Sequence, residues 1–147
     1  MDLKVLAGVM VASSSAFFTC GFPTTALSAA ASAEWKAPAG EAEKKNPVAP
    51  SPPTLAAGKG VYSRECVSCH GLGGKGDGKK GRDLQPLPAN LSDPKVTAQT
   101  DGALFWKIST GRKPMPSFQK ELSDDERWQV IDYIRTLAPN GGGDAKP

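Results

Sequence analysis

Three stretches of the chain carry apolar residues at helical spacing. In the first, from Leu55 to Glu65, the positions Leu55, Gly58, Tyr62 and then Cys66 recur at three- and four-residue intervals and share one face. Thr54, after two prolines, is the expected N-cap. A second helix is expected from about Asp101 to Thr110, capped by Thr100, with Leu104, Phe105 and Ile108 inward and Gly111 as its stop. The third opens on Ser123-Asp124-Asp125-Glu126, a capping box whose acidic first turn suits the positive end of the helix dipole. Val130, Ile131, Ile134, Leu137 and Ala138 form its apolar stripe, and Pro139 helps to end it. No segment sustains the period-two alternation of a strand. The expected domain is all-α, with three main helices and long loops.

The remaining pattern is of a different kind. Lys4 precedes an apolar or small-residue run from Val5 to Phe18, and Ala31-Ser32-Ala33 supplies an A-x-A cleavage pattern. Residues 1–33 therefore read as an export signal, which places the mature protein in the periplasm. An uncleaved anchor is the alternative, although Ser13-Ser14-Ser15 breaks the run short of the roughly 20 apolar residues a span needs. A lipid anchor on Cys20 is disfavoured, because Phe17-Phe18-Thr19 lacks the small residue wanted before it. Residues 34–54 mix Pro, Ala, Lys and Glu without periodicity and read as an extended linker. Residues 55–138 are the folded domain, and 139–147 a flexible tail.

Composition sharpens this. The 147 residues include 16 Gly and 13 Pro, concentrated outside the helical stretches. A domain of about 80–90 residues buries a small fraction of its surface and commonly leans on a disulfide, metal or cofactor. Net charge is only +3, which gives no support for nucleic-acid binding. Once the signal is removed, Cys66, Cys69, His70 and Met115 are the only Cys, His and Met residues left.

Cys66-Val67-Ser68-Cys69-His70 is the C-x-x-C-H pattern of c-type haem attachment. Two thiols three positions apart on a helical turn can each form a thioether to a haem vinyl group. The next residue's imidazole then stands beneath the iron. A structural zinc site would need two more ligands, which the mature chain lacks. A thioredoxin-like pair would want a βαβ context, and a disulfide here would close too short a loop to gain much. One covalently bound haem c is the expected cofactor, with His70 as proximal ligand.

The sixth ligand follows by elimination. No second His exists, and Met115 is the sole thioether of the mature chain. It lies between Pro114 and Pro116, in a segment too rigid for helix, as a sulfur held steady for iron would require. A Met that merely packs on the haem, a lysine ligand and a vacant position remain alternatives.

These residues resemble the class I monohaem cytochromes c, particularly the small bacterial periplasmic ones, over about Leu55 to Leu137. The resemblance implies a cytochrome c-like fold in which Gly58 and Tyr62 of the first helix cross against Val130 and Tyr133 of the last. Gly73-Gly74-Lys75-Gly76-Asp77-Gly78 looks like the family's glycine-rich loop, and lacks the strand and Gly-Lys-Ser/Thr ending of a phosphate loop. Leu87-Pro88-Ala89-Asn90-Leu91 is similar to the family's proline loop, whose carbonyl accepts the hydrogen bond of the proximal His. Pro88 is the favoured residue there, with Pro86 and Ala89 as rivals. Lys113-Pro114-Met115-Pro116-Ser117-Phe118 resembles the methionine loop.

A haem closed on both axial sides favours one-electron exchange over catalysis, so a carrier is expected rather than an enzyme. A relay subunit of a larger oxidoreductase and an open-site haem enzyme are the alternatives. Lys75, Lys79, Lys80 and Arg82, with Lys107, Arg112 and Lys113, suggest a basic rim for redox partners with acidic docking surfaces. A membrane enters only if the signal stays as an anchor.

Overall fold

The computed structural model describes residues 34–138. The export signal and the C-terminal tail lie outside the described residues. In chain order the elements are α1 (Ala39–Ala42), α2 (Pro52–Val61), a π turn (Tyr62–Cys66), α3 (Val67–His70), α4 (Pro94–Thr97), α5 (Asp101–Thr110) and α6 (Asp124–Thr136). Among the described residues there is no strand, only an isolated bridge between Arg112 and Met115. No described helix is long and apolar enough to cross a membrane.

Helix α2 begins at Pro52, three residues earlier than expected, and its N-cap is Ser51 rather than Thr54. Thr54 sits at the third helical position. It returns the bond, so that Thr54 N–H donates to Ser51 Oγ (3.3 Å) and Ser51 N–H to Thr54 Oγ1 (2.8 Å). The two prolines are tolerated because first-turn N–H groups have no partner inside the helix. At α5 and α6 the expected caps are in place. Ala103 N–H donates to Thr100 Oγ1 (3.2 Å), and Ser123 and Glu126 form the reciprocal box. The short α4 was not anticipated, although Asp93-Pro94 is a start signal, with Asp93 accepting from Lys95 N–H.

The core forms where α2 crosses α6. An ideal Cβ on Gly58 would lie 2.0 Å from the Gln129 carbonyl oxygen and 3.2 Å from Tyr133 Cβ, so the backbones meet where only glycine fits. Tyr62, Val130 and Ile131 are fully buried beside that crossing. The Tyr62 and Tyr133 rings pack 5.2 Å apart at 55°. Helix α5 closes the core through Leu104, Phe105 and Ile108, with Phe105 stacked on Trp128 at 4.0 Å.

The stretch expected to be an extended linker carries α1 and lies against α5 and α6. Thr100 Oγ1 donates to the Ala42 carbonyl (2.6 Å), Asn46 Nδ2 donates to Asp132 Oδ1 (2.7 Å), and Val48 packs on the core. Isolated anchors of this kind, rather than a periodic stripe, hold residues 35–50 as a strap. Its partner Asp132 is 6% exposed, and its Oδ2 has no hydrogen bond. Burial first, and then the Asp101 carboxylate, push this carboxyl up to about 6, against the pull of Asn46 and Arg135.

Two outcomes follow. Gly58→Ala should destabilise the holoprotein by about 1–3 kcal/mol in denaturant unfolding, because overpacking against backbone outweighs the ~1 kcal/mol gain in helix propensity. Asp132 holds its proton more tightly folded than unfolded, so its contribution favours the folded state at low pH and is lost as pH rises through about 6. Relative to the natural protein, Asp132→Asn should gain stability between about pH 4 and 6, by at most about 1.4 kcal/mol per pH unit. A constant difference across that window in unfolding curves would contradict this.

Candidate functional site

The attachment residues stand at the end of one long helical run. Helix α2 passes through the π turn into α3, and Val67 N–H donates to the Tyr62 carbonyl, five residues back. This wider turn offsets the Cys66–His70 segment from the face that Gly58 and Tyr62 use against α6. Such insertions gather at functional sites, and spacing alone gave no sign of this one.

Cys66 and Cys69 are both free thiols and half-buried. Burial, followed by the charges of Glu65 and Cys69, pushes the Cys66 thiol up to about 12. A thiol kept neutral is a poor metal ligand and a slow disulfide exchanger. Among the described residues no group of three or more His, Cys, Asp or Glu could hold a metal ion.

His70 Nδ1 lies 3.1 Å from the Ala89 carbonyl oxygen. A carbonyl only accepts, so Nδ1 carries the proton and Nε2 keeps its lone pair. Burial lowers the imidazole pKa and the Ala89 bond opposes it, leaving the ring neutral near pH 7, as a ligand must be. The acceptor is Ala89 and not Pro88, the residue favoured from the sequence. The Pro88 carbonyl is turned instead onto Gly76, where a Cβ would sit 2.3 Å from its oxygen.

The glycine-rich segment folds back over the end of α3. Gly71, Gly76, Gly78 and Lys80 donate their backbone N–H groups to the carbonyls of Val67, His70, Cys69 and Ser68, at 2.8–3.1 Å. These are the last carbonyls of the helix, which have no partner within it. The loop is thus a helix cap, and its N–H groups are not arranged around an anion. Tyr62 adds a side-chain tie, its hydroxyl donating to the Gly71 carbonyl at 2.7 Å. Burial, with the neighbouring Cys66, raises the Tyr62 pKa and keeps the phenol a donor.

Met115 is half-buried and packs on the same core cluster as Cys66 and Val67. Its loop is closed at three places. Met115 N–H donates to the Arg112 carbonyl (2.9 Å), Ser117 Oγ to Ser109 (2.6 Å) and Phe118 N–H to Ile108 (3.0 Å). Two free cysteines and an imidazole whose Nε2 keeps its lone pair, gathered at one helix end, fit a covalently attached haem. Cys66 and Cys69 would hold it and His70 would ligate its iron.

Comparison with known proteins agrees. The family described as "Cytochrome C oxidase, cbb3-type, subunit III" matches residues 53–134. A cytochrome c6 of Leptolyngbya boryana is 33% identical over 87 residues, covering 58% of this chain and 95% of the relative. A "Cytochrome bc1 complex cytochrome c subunit" of Corynebacterium diphtheriae is 29% identical over 97 residues, covering 63% of this chain but 31% of its own length. Among solved structures, the Kuenenia stuttgartiensis reducing HAO-like protein complex contains a chain with 34% identity and a TM-score of 0.55. That match covers 63% of this chain and 47% of the other. With its all-α fold, its single C-x-x-C-H site and this match over more than half its length, the chain belongs to that family of cytochrome c domains and carries a covalently bound haem c.

Proposed function

We propose that the protein is a periplasmic one-electron carrier whose haem c is ligated by His70 and Met115. Haem c, when bound, supplies a one-electron iron couple; the chain decides what can reach it. The observation that supports this reading most is the state of His70. Its Nδ1 is engaged by the Ala89 carbonyl, which fixes the tautomer, orients the ring and raises the basicity of Nε2. Met115, in a loop closed on both limbs, is the thioether able to take the opposite side. A thioether favours ferrous iron and raises the potential relative to a second imidazole. With His70 and Met115 both holding the iron, no substrate would have access to the metal.

The surface beside the attachment helix suits docking. Leu72 is 81% exposed, next to His70 in sequence beyond Gly71, and Lys75, Lys79, Lys80 and Arg82 on the following loop are exposed as well. An apolar contact among lysines would bind an acidic redox partner with salt-dependent encounter rates. Lys107 and Arg112, expected to share this rim, lie instead over the ring of Trp35. A relay role inside a larger assembly is a second reading. It is favoured by the two similar proteins whose names place them in complexes and which exceed this chain's match by more than half their length.

Absorption spectra test the ligation. The oxidised protein should show the long-wavelength Fe(III)–thioether charge-transfer band, and the reduced protein should not bind carbon monoxide. Met115→Ala should abolish the band, admit carbon monoxide, and lower the potential by a sizeable part of the roughly 0.8 V that axial ligands command. An unchanged spectrum in Met115→Ala overturns the assignment.

A further inference from the structure

The main chain of His70 and its imidazole are both held by the loops that follow them. The Gly76 N–H donates to the His70 carbonyl (2.8 Å) and ties the glycine-rich loop to the end of α3. Against Gly76 lies the Pro88 carbonyl, and the next residue, Ala89, turns its own carbonyl oxygen to His70 Nδ1 at 3.1 Å. These contacts close a ring. It runs from His70 to Gly76, across to Pro88, and through Ala89 back to the His70 imidazole.

The tightest point of the ring is Gly76, which has φ +79°. An ideal Cβ there would fall 2.3 Å from the Pro88 carbonyl oxygen, 3.3 Å from its carbon and 3.6 Å from the Ala89 carbonyl carbon. The obstacle is main chain, which cannot rotate aside as the end of a long side chain would. Pro88 is also backed by Gly81, where a Cβ would lie 2.8 Å from Pro88 Cγ. Beyond Ala89, the Leu91 N–H donates to the Gly74 carbonyl (2.7 Å). The Ala89 carbonyl is therefore fixed from both sides by one loop, at Pro88 through Gly76 and Gly81, and at Leu91 through Gly74.

We propose that Gly76 is a positioning residue for the proximal haem ligand: its missing side chain lets Pro88 and Ala89 come close enough for the Ala89 carbonyl to accept the His70 Nδ1 proton, and so sets the reduction potential. This deepens the reading that His70 ligates the iron and rests on it. A carbonyl at Nδ1 raises the basicity of Nε2, and a more basic imidazole favours ferric iron. A side chain at position 76 would push Pro88 outward, or else lift the loop off the His70 carbonyl. Either displacement opens the ring and lengthens the bond from Nδ1 to Ala89. The iron couple then moves toward the ferrous form.

Potentiometry of the holoprotein, paired with NMR of the His70 ring, tests this. Gly76→Ala should favour the ferrous form by about five-fold, the factor one neutral hydrogen bond carries. That is a rise of ~40 mV, at about 59 mV per tenfold. Solvent exchange of the Nδ1 proton should speed up in the same variant. Gly76→Asn adds the same Cβ but takes positive φ more readily. It should lose less stability than Gly76→Ala and still show the same rise. Gly74→Ala, at φ +71°, carries similar backbone strain, yet its Cβ would meet the side chains of Leu137 and Leu91. It should lose stability and keep the natural potential. The charge-transfer region of the oxidised spectrum should stay as in the natural protein in all three. Unchanged potentials in both Gly76 variants, or an equal rise in Gly74→Ala, would overturn the proposal alone. So would a rise that comes with an altered charge-transfer region, or free exchange of the Nδ1 proton in the natural protein. Absence of hyperfine-shifted His70 ring resonances from the oxidised natural protein overturns the ligand reading and this inference with it.

Discussion

The close crossing of α2 and α6 is the contact on which the rest of the domain depends. Where Gly58 meets the Gln129 carbonyl, two backbones approach at a distance that leaves no room for a side chain. That approach buries Tyr62, Val130 and Ile131 at one point, and a domain this small has few other places to gather apolar surface. Tyr62 then links the crossing to the haem end of the chain. Its ring packs on Tyr133, and its hydroxyl holds the Gly71 carbonyl just past His70. One residue therefore belongs to both the core and the site.

Charged side chains on α6 continue this arrangement. Arg127, 5% exposed, pairs with Asp124 and Ser109 and lies 4.5 Å from the centre of the Phe105 ring. Arg135 bonds Asp101 (2.6 Å) and the carbonyls of Thr97 (2.8 Å) and Gln99 (2.5 Å), fastening the end of α6 to the start of α5. Arginine suits such junctions because its planar fork can satisfy several acceptors at once. Asp132, between these two, has an unpaired buried oxygen and is the least comfortable group on the helix.

Features written in consecutive residues were legible from the sequence. The C-x-x-C-H motif, the Ser123 capping box and the Gly58–Tyr62 face each use a fixed local spacing, and each is found where that spacing put it. Other features depend on how distant segments meet. Thr54 is the cap expected when Pro52 and Pro53 are counted in an extended linker, whereas the first helical turn accepts both prolines and Ser51 caps it. The choice between Ala89 and Pro88 turns on carbonyl direction, which Gly76 settles from another part of the chain. The π turn leaves no compositional trace. The strap was hidden because Trp35, Asn46 and Val48 are single anchors in a stretch with no period, and their partners on α5 and α6 lie far along the chain.

The loop that caps α3 does so with main-chain atoms alone. Its N–H groups hold the helix end, while the side chains of Leu72, Lys75, Lys79 and Lys80 point to solvent with no part in that task. The cap at the cofactor's helix and the exposed face proposed for docking are thus encoded by different atoms of the same residues. Lineages could rewrite the charge and greasiness of this face, and with it the choice of electron donor or acceptor, while the haem stays anchored as before.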